Sequence, residues 1–157
     1  MPLRFFGDPI FRQRAEPVGK IDEAIRLIVD EIIAAMDAHG AIGLSAVHVG
    51  YLLRIVVIRL EPNDSPAIYI NPILSDPSPE REVGEEGSIS WPGVRAPVER
   101  PVAITVESQD LNGKTVKRRL ENLEARVLMH ENDQLNGVMF IDRVRGKARK
   151  NLPPIKR

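Results

Sequence analysis

The 157-residue sequence predicts an α+β domain, and three observations carry that prediction. Two segments place apolar residues at three- and four-residue steps, one over residues 21–39 and one spanning Leu123 to Leu135. Several short runs between them are β-branched or alternate apolar with polar residues. Asp110-Leu111-Asn112-Gly113 supplies a hairpin signal between two of those runs. The expected architecture is antiparallel or mixed sheets packed around a C-terminal helix, plus one N-terminal helix.

The first helix rests on Ile21, Ala24, Ile25, Ile28, Ile32, Ala35 and Met36, with Gly40 as its stop. A glycine-containing turn leads to residues 52–58, whose β-branched run reads as a buried strand. Residues 67–70 form a short strand closed by Asn71-Pro72. From Glu61 to Pro101 the chain is rich in Pro, Gly and acids, which predicts loop interrupted by short extended pieces. Residues 101–107 alternate and predict a strand; Asn112-Gly113 favours a type I′ turn, and Thr115 to Leu120 is the return strand. Leu123, Val127, Leu128 and Leu135 then mark the apolar side of a second helix that ends near Asn136-Gly137.

Composition bounds the functional classes. A 43% hydrophobic and 28% charged chain of this length suits one soluble domain, and 4% aromatics leaves the core to Ile, Leu, Val and Ala. Residues 1–142 are expected to form that domain and 143–157 a basic tail, where Arg143, Arg145, Lys147, Arg149, Lys150, Lys156 and Arg157 meet no acid. A net charge of zero argues against global attraction to nucleic acid, so no specific DNA binding is expected. The absence of cysteine removes disulfides, thiolate ligands and thiol nucleophiles. No segment reaches membrane-span length, and a cytoplasmic location is expected.

Three short segments carry chemistry. His130-Glu131-Asn132-Asp133-Gln134 is one residue from H-E-x-x-H, in which two imidazoles at i and i+4 hold a catalytic metal beside a glutamate base. Gly40-Ala41-Ile42-Gly43-Leu44-Ser45-Ala46-Val47-His48 has the small residues that let backbone approach a ligand. Glu85-Glu86-Gly87-Ser88-Ile89-Ser90 precedes Trp91-Pro92-Gly93-Val94-Arg95. Taken singly, each also fits an ordinary turn or a surface helix.

In order and spacing the three resemble the motifs of peptide deformylases, G-φ-G-φ-A-A-x-Q, E-G-C-φ-S and H-E-x-D-H, where φ is apolar. The resemblance runs from Phe6-Gly7-Asp8-Pro9 through Ile70-Asn71-Pro72 to Asp142-Arg143. It implies a peptide deformylase-like fold and the hydrolysis of formyl groups from N-formylmethionyl nascent peptides. In that family the metal is Fe(II), with Zn(II), Ni(II) or Co(II) as substitutes, held by one Cys and two His.

Carried onto this chain, the metal positions are Ser88, His130 and Gln134, so two of the three ligands are replaced. A hydroxyl and a carboxamide are poor partners for such ions, and no tightly bound metal is expected. Glu131 matches the general acid/base, and Ile89 the residue whose backbone N–H binds the developing oxyanion. His48 stands where a glutamine side chain donates to that oxyanion. Ile42, Gly43, Gly87 and Arg95 fall in the peptide-binding cleft.

The resemblance therefore implies a degenerate metal site in a catalytically impaired scaffold. Its partners would be the N-terminal peptides of nascent chains and, through the basic tail, the ribosome. Two active alternatives remain open at this point. His48, His130 and Glu131 are the residue types of a two-His-one-carboxylate metal set, and Ser88 with His130 are those of a nucleophile and its base.

Overall fold

Asp22 starts the first helix. Its side chain accepts the backbone N–H of Ile25, and helix α1 runs Glu23–His39 with Ile25, Val29, Ile32 and Met36 buried. Gly40 ends it with φ 65°, a left-handed conformation that glycine adopts without a Cβ penalty. The structure, a computed structural model, describes residues 2–153. Ile21, expected inside the helix, precedes the cap and packs against the core from there.

Five strands form one antiparallel sheet. These are β1 (Gly43–Ser45), β2 (Ile55–Ile58), β3 (Ala67–Ser75), β6 (Ala103–Gln109) and β7 (Thr115–Glu121), in the order β1-β2-β3-β6-β7. A separate hairpin joins β4 (Arg81–Ser88) to β5 (Trp91–Pro101). Helix α2 (Asn122–Leu135) follows β7, and a short helix α3 (Gly146–Lys150) lies near the C-terminus. Single 3-10 turns occupy Pro9–Arg12, Ala46–Val49 and Phe140–Arg143.

Strand β2 divides the interior. Ile55 and Val57 face the cluster built on α1, while Val56 and Ile58 face the cluster that contains Leu128 and Leu135 of α2. A two-residue side-chain period turns a continuous apolar run into a strand covered on both faces. Ala96 and Val98 of β5 join the same cluster as α2, so the motif-bearing helix packs against both sheets.

Several sequence expectations change. The stretch from 61 to 101 is not mainly loop: β4 and β5 pair in register from Arg81↔Pro101 to Gly87↔Arg95. Most β4 side chains are exposed or half-buried, so little apolar alternation marked the strand. Strand β3 does not close at Asn71-Pro72. It passes through a register shift between Ile70 and Ile73, where Asn71 takes φ 53° and bonds both the N–H and the C=O of Val18. Such an irregularity accommodates a proline that has no ladder N–H. The 110–113 turn is not type I′, because only Gly113 has positive φ (79°) and that turn needs two such residues. Leu123, expected on the buried side of α2, is half exposed. The strand expected over 52–58 is confined to Ile55–Ile58.

The stretch after Asp142 holds packed as well as basic residues. Val144 is buried, and Ala148 and Leu152 pack against the core, while Arg145, Lys147, Arg149 and Lys150 face outward. Lys156 and Arg157 lie outside the described residues. Among the described residues, no helix is long and apolar enough to cross a membrane.

Gly43 sets how closely β1 approaches α2. A Cβ there would sit 2.2 Å from Val127 Cγ1 and 3.8 Å from Glu131 Cγ. Gly43→Ala is expected to cost about 1–3 kcal/mol through overpacking, read as a lower urea midpoint at unchanged m-value.

Candidate active site

Helix α2 brings Leu123, Arg126, Val127, His130 and Glu131 to one cleft of about 430 Å³. Spacings of three and four residues put these side chains along neighbouring turns of one helix flank. The opposite wall comes from the 40–44 segment and His48, and the floor from Glu85 to Ile89 with Val94 and Arg95. Of the residues expected in the site, Ile42, Gly43, His48, Gly87, Ser88, Ile89, Arg95, His130 and Glu131 all line this cleft. Gln134 lies fully buried behind His130.

Glu86 is the electrostatic centre. Its carboxylate receives Arg100 Nε at 2.7 Å and Nη2 at 2.8 Å, Arg126 Nη1 at 2.6 Å and His130 Nδ1 at 2.8 Å. Burial pushes its pKa up, but hydrogen bonds and charge from Arg100 and His130 outweigh this and lower it to about 2. Arg100 continues to Asp133 at 3.0 Å, and Asp133 continues to Arg143 at 2.5 and 2.8 Å. This network ties β4, β5, α2 and the Phe140–Arg143 turn together.

Glu131 is held between two imidazoles. His48 Nε2 lies 3.2 Å from Oε1, and His130 Nε2 lies 3.7 Å from Oε2. A carboxylate only accepts, so Nε2 of His48 carries the hydrogen and Nδ1 receives the Ser90 hydroxyl at 2.6 Å. The resulting row Ser90–His48–Glu131 is buried throughout. His48 therefore spends the ring N–H that was expected to reach an oxyanion.

Both ring nitrogens of His130 are also engaged. Nδ1–H donates to Glu86, and Nε2 meets the Gln134 amide at 3.3 Å. Burial opposes its charge, yet the Glu86 hydrogen bond and the charges of Glu131 and Glu86 raise its pKa above the ordinary imidazole range. A protonated ring needs an acceptor at Nε2. Turning the Gln134 amide presents Oε1 there and supplies a partner to that otherwise unbonded oxygen.

Ser88 Oγ accepts the Ser90 backbone N–H at 3.1 Å and makes no hydrogen bond to His130 among the described residues. The nucleophile–base pairing of Ser88 with His130 is therefore not formed. No group of three or more His, Cys, Asp or Glu among the described residues has metal-holding placement. His48 and His130 each turn Nε2 toward the Glu131 carboxylate.

Glu86, Ser90, Arg100, Arg126 and Asp133 had no role assigned from the sequence. Glu86, Ser90 and Asp133 lay inside the motifs themselves. Arg100 and Arg126 carried no local signal, since only the hairpin register brings Arg100 to Glu86 and only α2 packing brings Arg126 there.

A helix-borne His-Glu pair over a cleft, bounded by a small-residue strand and a hairpin, defines a hydrolase-type scaffold. The description "Polypeptide deformylase" matches residues 1–150. The chain is 40% identical over 147 residues to the peptide deformylase of Thermotoga neapolitana, covering 94% of this chain and 88% of the relative. It is 39% identical over 143 residues to a Rhizobium meliloti protein named peptide deformylase-like, covering 91% and 83%. The crystal structure of Thermotoga maritima peptide deformylase superposes with a TM-score of 0.88 at 39% identity, covering 92% of this chain and 97% of that one. The chain belongs to the polypeptide deformylase family.

The Glu86 network sets an acid limit. Because its folded pKa lies near 2, below the ordinary carboxylate value of 4.5, its stabilisation is complete above that ordinary value and lost as pH falls toward 2. Chemical denaturation between pH 6 and pH 2 is expected to show a loss on the order of a few kcal/mol that Glu86→Gln flattens. Glu86→Gln is also expected to be less stable than the parent at pH 7, since it leaves Arg100 underpaired in the interior.

Proposed function

We propose that this protein is a deformylase-family scaffold whose metal-dependent hydrolysis of N-formylmethionyl peptides is lost or strongly reduced, and whose cleft still takes peptide N-termini. The observation that carries this reading is the double engagement of His130. With Nδ1 on Glu86 and Nε2 against the Gln134 amide, both ring nitrogens already have protein partners. The two other positions supply a hydroxyl, which accepts a backbone N–H, and a neutral amide. This donor set does not fit Fe(II) or Zn(II).

What remains suits binding. Gly43 and Gly87 keep backbone close to the cleft, where a Cβ at either position would crowd Val127 or Val94 and Arg95. Ile42, Leu123 and Val127 give it apolar walls, and Arg95 stands at the mouth with its Nη2 on the Glu85 carbonyl. Outward-facing Arg145, Lys147, Arg149 and Lys150 support docking at a phosphate-rich surface such as the ribosome, in the cytoplasm.

Elemental analysis and a formyl-Met-peptide assay supplemented with Fe(II), Ni(II), Co(II) or Zn(II) test the reading. The expected result is no stoichiometric metal and no turnover. The double variant Ser88→Cys with Gln134→His is expected to gain bound metal. A tightly held stoichiometric ion with turnover in the parent protein would overturn the proposal. If that ion is lost in His48→Ala, the rearranged set of His48, His130 and Glu131 holds it.

A further inference from the structure

The C-terminal end of α2, behind the cleft, gathers cations that the fold leaves without counter-charge. Residues 12–16 run along it: Ala15 N–H donates to Leu135 O at 2.7 Å, and a Cβ on Gly137 would lie 3.0 Å from the Arg12 backbone. Arg54 is fixed in the same place. Its Nη1 donates to Ala15 O at 3.4 Å and Leu135 O at 3.2 Å, and its Nη2 to Asn136 Oδ1 at 2.9 Å. All three acceptors are neutral, and the carbonyls at a helix C-terminus offset only about half a charge. Arg54 keeps Nε–H and one Nη2–H without an acceptor among the described residues.

Arg14 precedes Ala15 and is exposed; like Arg54, it makes no ion pair among the described residues. Burial lowers the pKa of Arg54, and the charge of Arg14 lowers it further, so the two guanidinium groups repel each other. Glu16, the acid of this segment, is exposed and pairs with neither. The basic side of α3 adjoins the same end. Arg12 holds Asp142 at 2.6 and 3.2 Å, Arg149 Nη1 donates to Ile141 O, and the charges of both arginines act on Asp142. Arg145, Lys147 and Lys150 have no carboxylate partner among the described residues. Val144, Ala148 and Leu152 pack inward, so this segment offers charge and no apolar anchor for a lipid surface. Cations drawn from separate stretches of chain suit a ligand that repeats its negative charge, as a nucleic-acid strand does with its phosphates.

We propose that Arg14 and Arg54 form a phosphate-binding site in the folded domain which, with the outward-facing cations of α3, takes the backbone of an RNA strand. The free edge of the Arg54 guanidinium, Nε with Nη2, binds phosphate oxygens, and Arg14 neutralises the same group from the solvent side. The contact reads charge and no base sequence. This inference rests on the reading of the segment after Asp142 as docking at a phosphate-rich surface, and adds to it a rigid site on the body of the protein.

The test is a titration of the intact protein into a fluorescein-labelled oligouridylate of about 20 nucleotides, read by anisotropy over a series of salt concentrations. Arg14→Gln is expected to weaken binding and to lower the slope of log affinity against log salt by about 0.7, the share of one phosphate on a single strand. Arg54→Gln is expected to do the same, with circular dichroism and a thermal melt checking that it folds; the exposed Arg14 variant decides the matter if it does not. Arg81→Gln, on the distant β4–β5 hairpin, is expected to leave the slope unchanged. Parent-like affinity and slope in Arg14→Gln, with binding lost in Lys147→Gln/Lys150→Gln, overturns the site and leaves docking through the C-terminal segment standing. Failure of the parent to bind overturns both. Displacement of the RNA by oligoglutamate as readily as by unlabelled oligouridylate of equal charge overturns the assignment to phosphate.

Discussion

The site depends on one buried carboxylate. Glu86 gathers Arg100 from its hairpin partner strand and Arg126 and His130 from α2, and every neighbouring feature follows from that meeting. An isolated carboxylate would not stay ionised in this interior; one receiving four charge-assisted or imidazole hydrogen bonds does. It fixes the His130 ring through Nδ1, as a carboxylate behind a metal-ligating histidine does. Here the same orientation aims Nε2 at Gln134. A support of the kind that serves a metal site thus stands behind a ring whose Nε2 faces a carboxamide.

His48 redirects the other half of the cleft. An imidazole at that position reaches Glu131 with one nitrogen and Ser90 with the other, so the Glu131 carboxylate is held by protein on both sides. Ser88, Gln134 and His48 each meet a neighbour: Ser88 Oγ takes the Ser90 N–H, the Gln134 amide nitrogen lies on His130 Nε2, and His48 bridges Ser90 and Glu131. The Gln134 oxygen is the unsatisfied atom beside His130, and a turn of its amide can pair the two. The cleft wall nearer the mouth has its own pairing of Gly84 with Arg126, whose guanidinium fills the space a side chain at 84 would take.

Much of this was legible in the chain. The period of residues 21–39 located α1 because an amphipathic helix must bury one face, and Asp22 and Gly40 supply caps of the expected types. The three motifs located nearly every cleft residue in advance, because backbone close approach demands glycine at 43 and 87, and the His130-Glu131 pair lies on the cleft side of α2. The β4–β5 hairpin was not legible, since its strands keep few side chains buried and their polar, glycine-rich composition resembles loop. The path of β3 through Asn71-Pro72 was hidden for a different reason: a bulge held by Asn71 contacts to Val18 is a tertiary solution to a local break.

The sequence by itself determined the α+β class, the family motifs and the residue types at the three ligand positions, because each is a property of local spacing and side-chain chemistry. Tertiary structure alone decided the partners. Glu86 and Arg100 are 14 residues apart, and Glu86 and His130 are 44. Such distances are closed only when the hairpin register and helix packing place both groups in one desolvated space. That is why the chain could name its cleft residues, while only the fold could show that His130, His48 and Glu131 are each already engaged by other protein side chains.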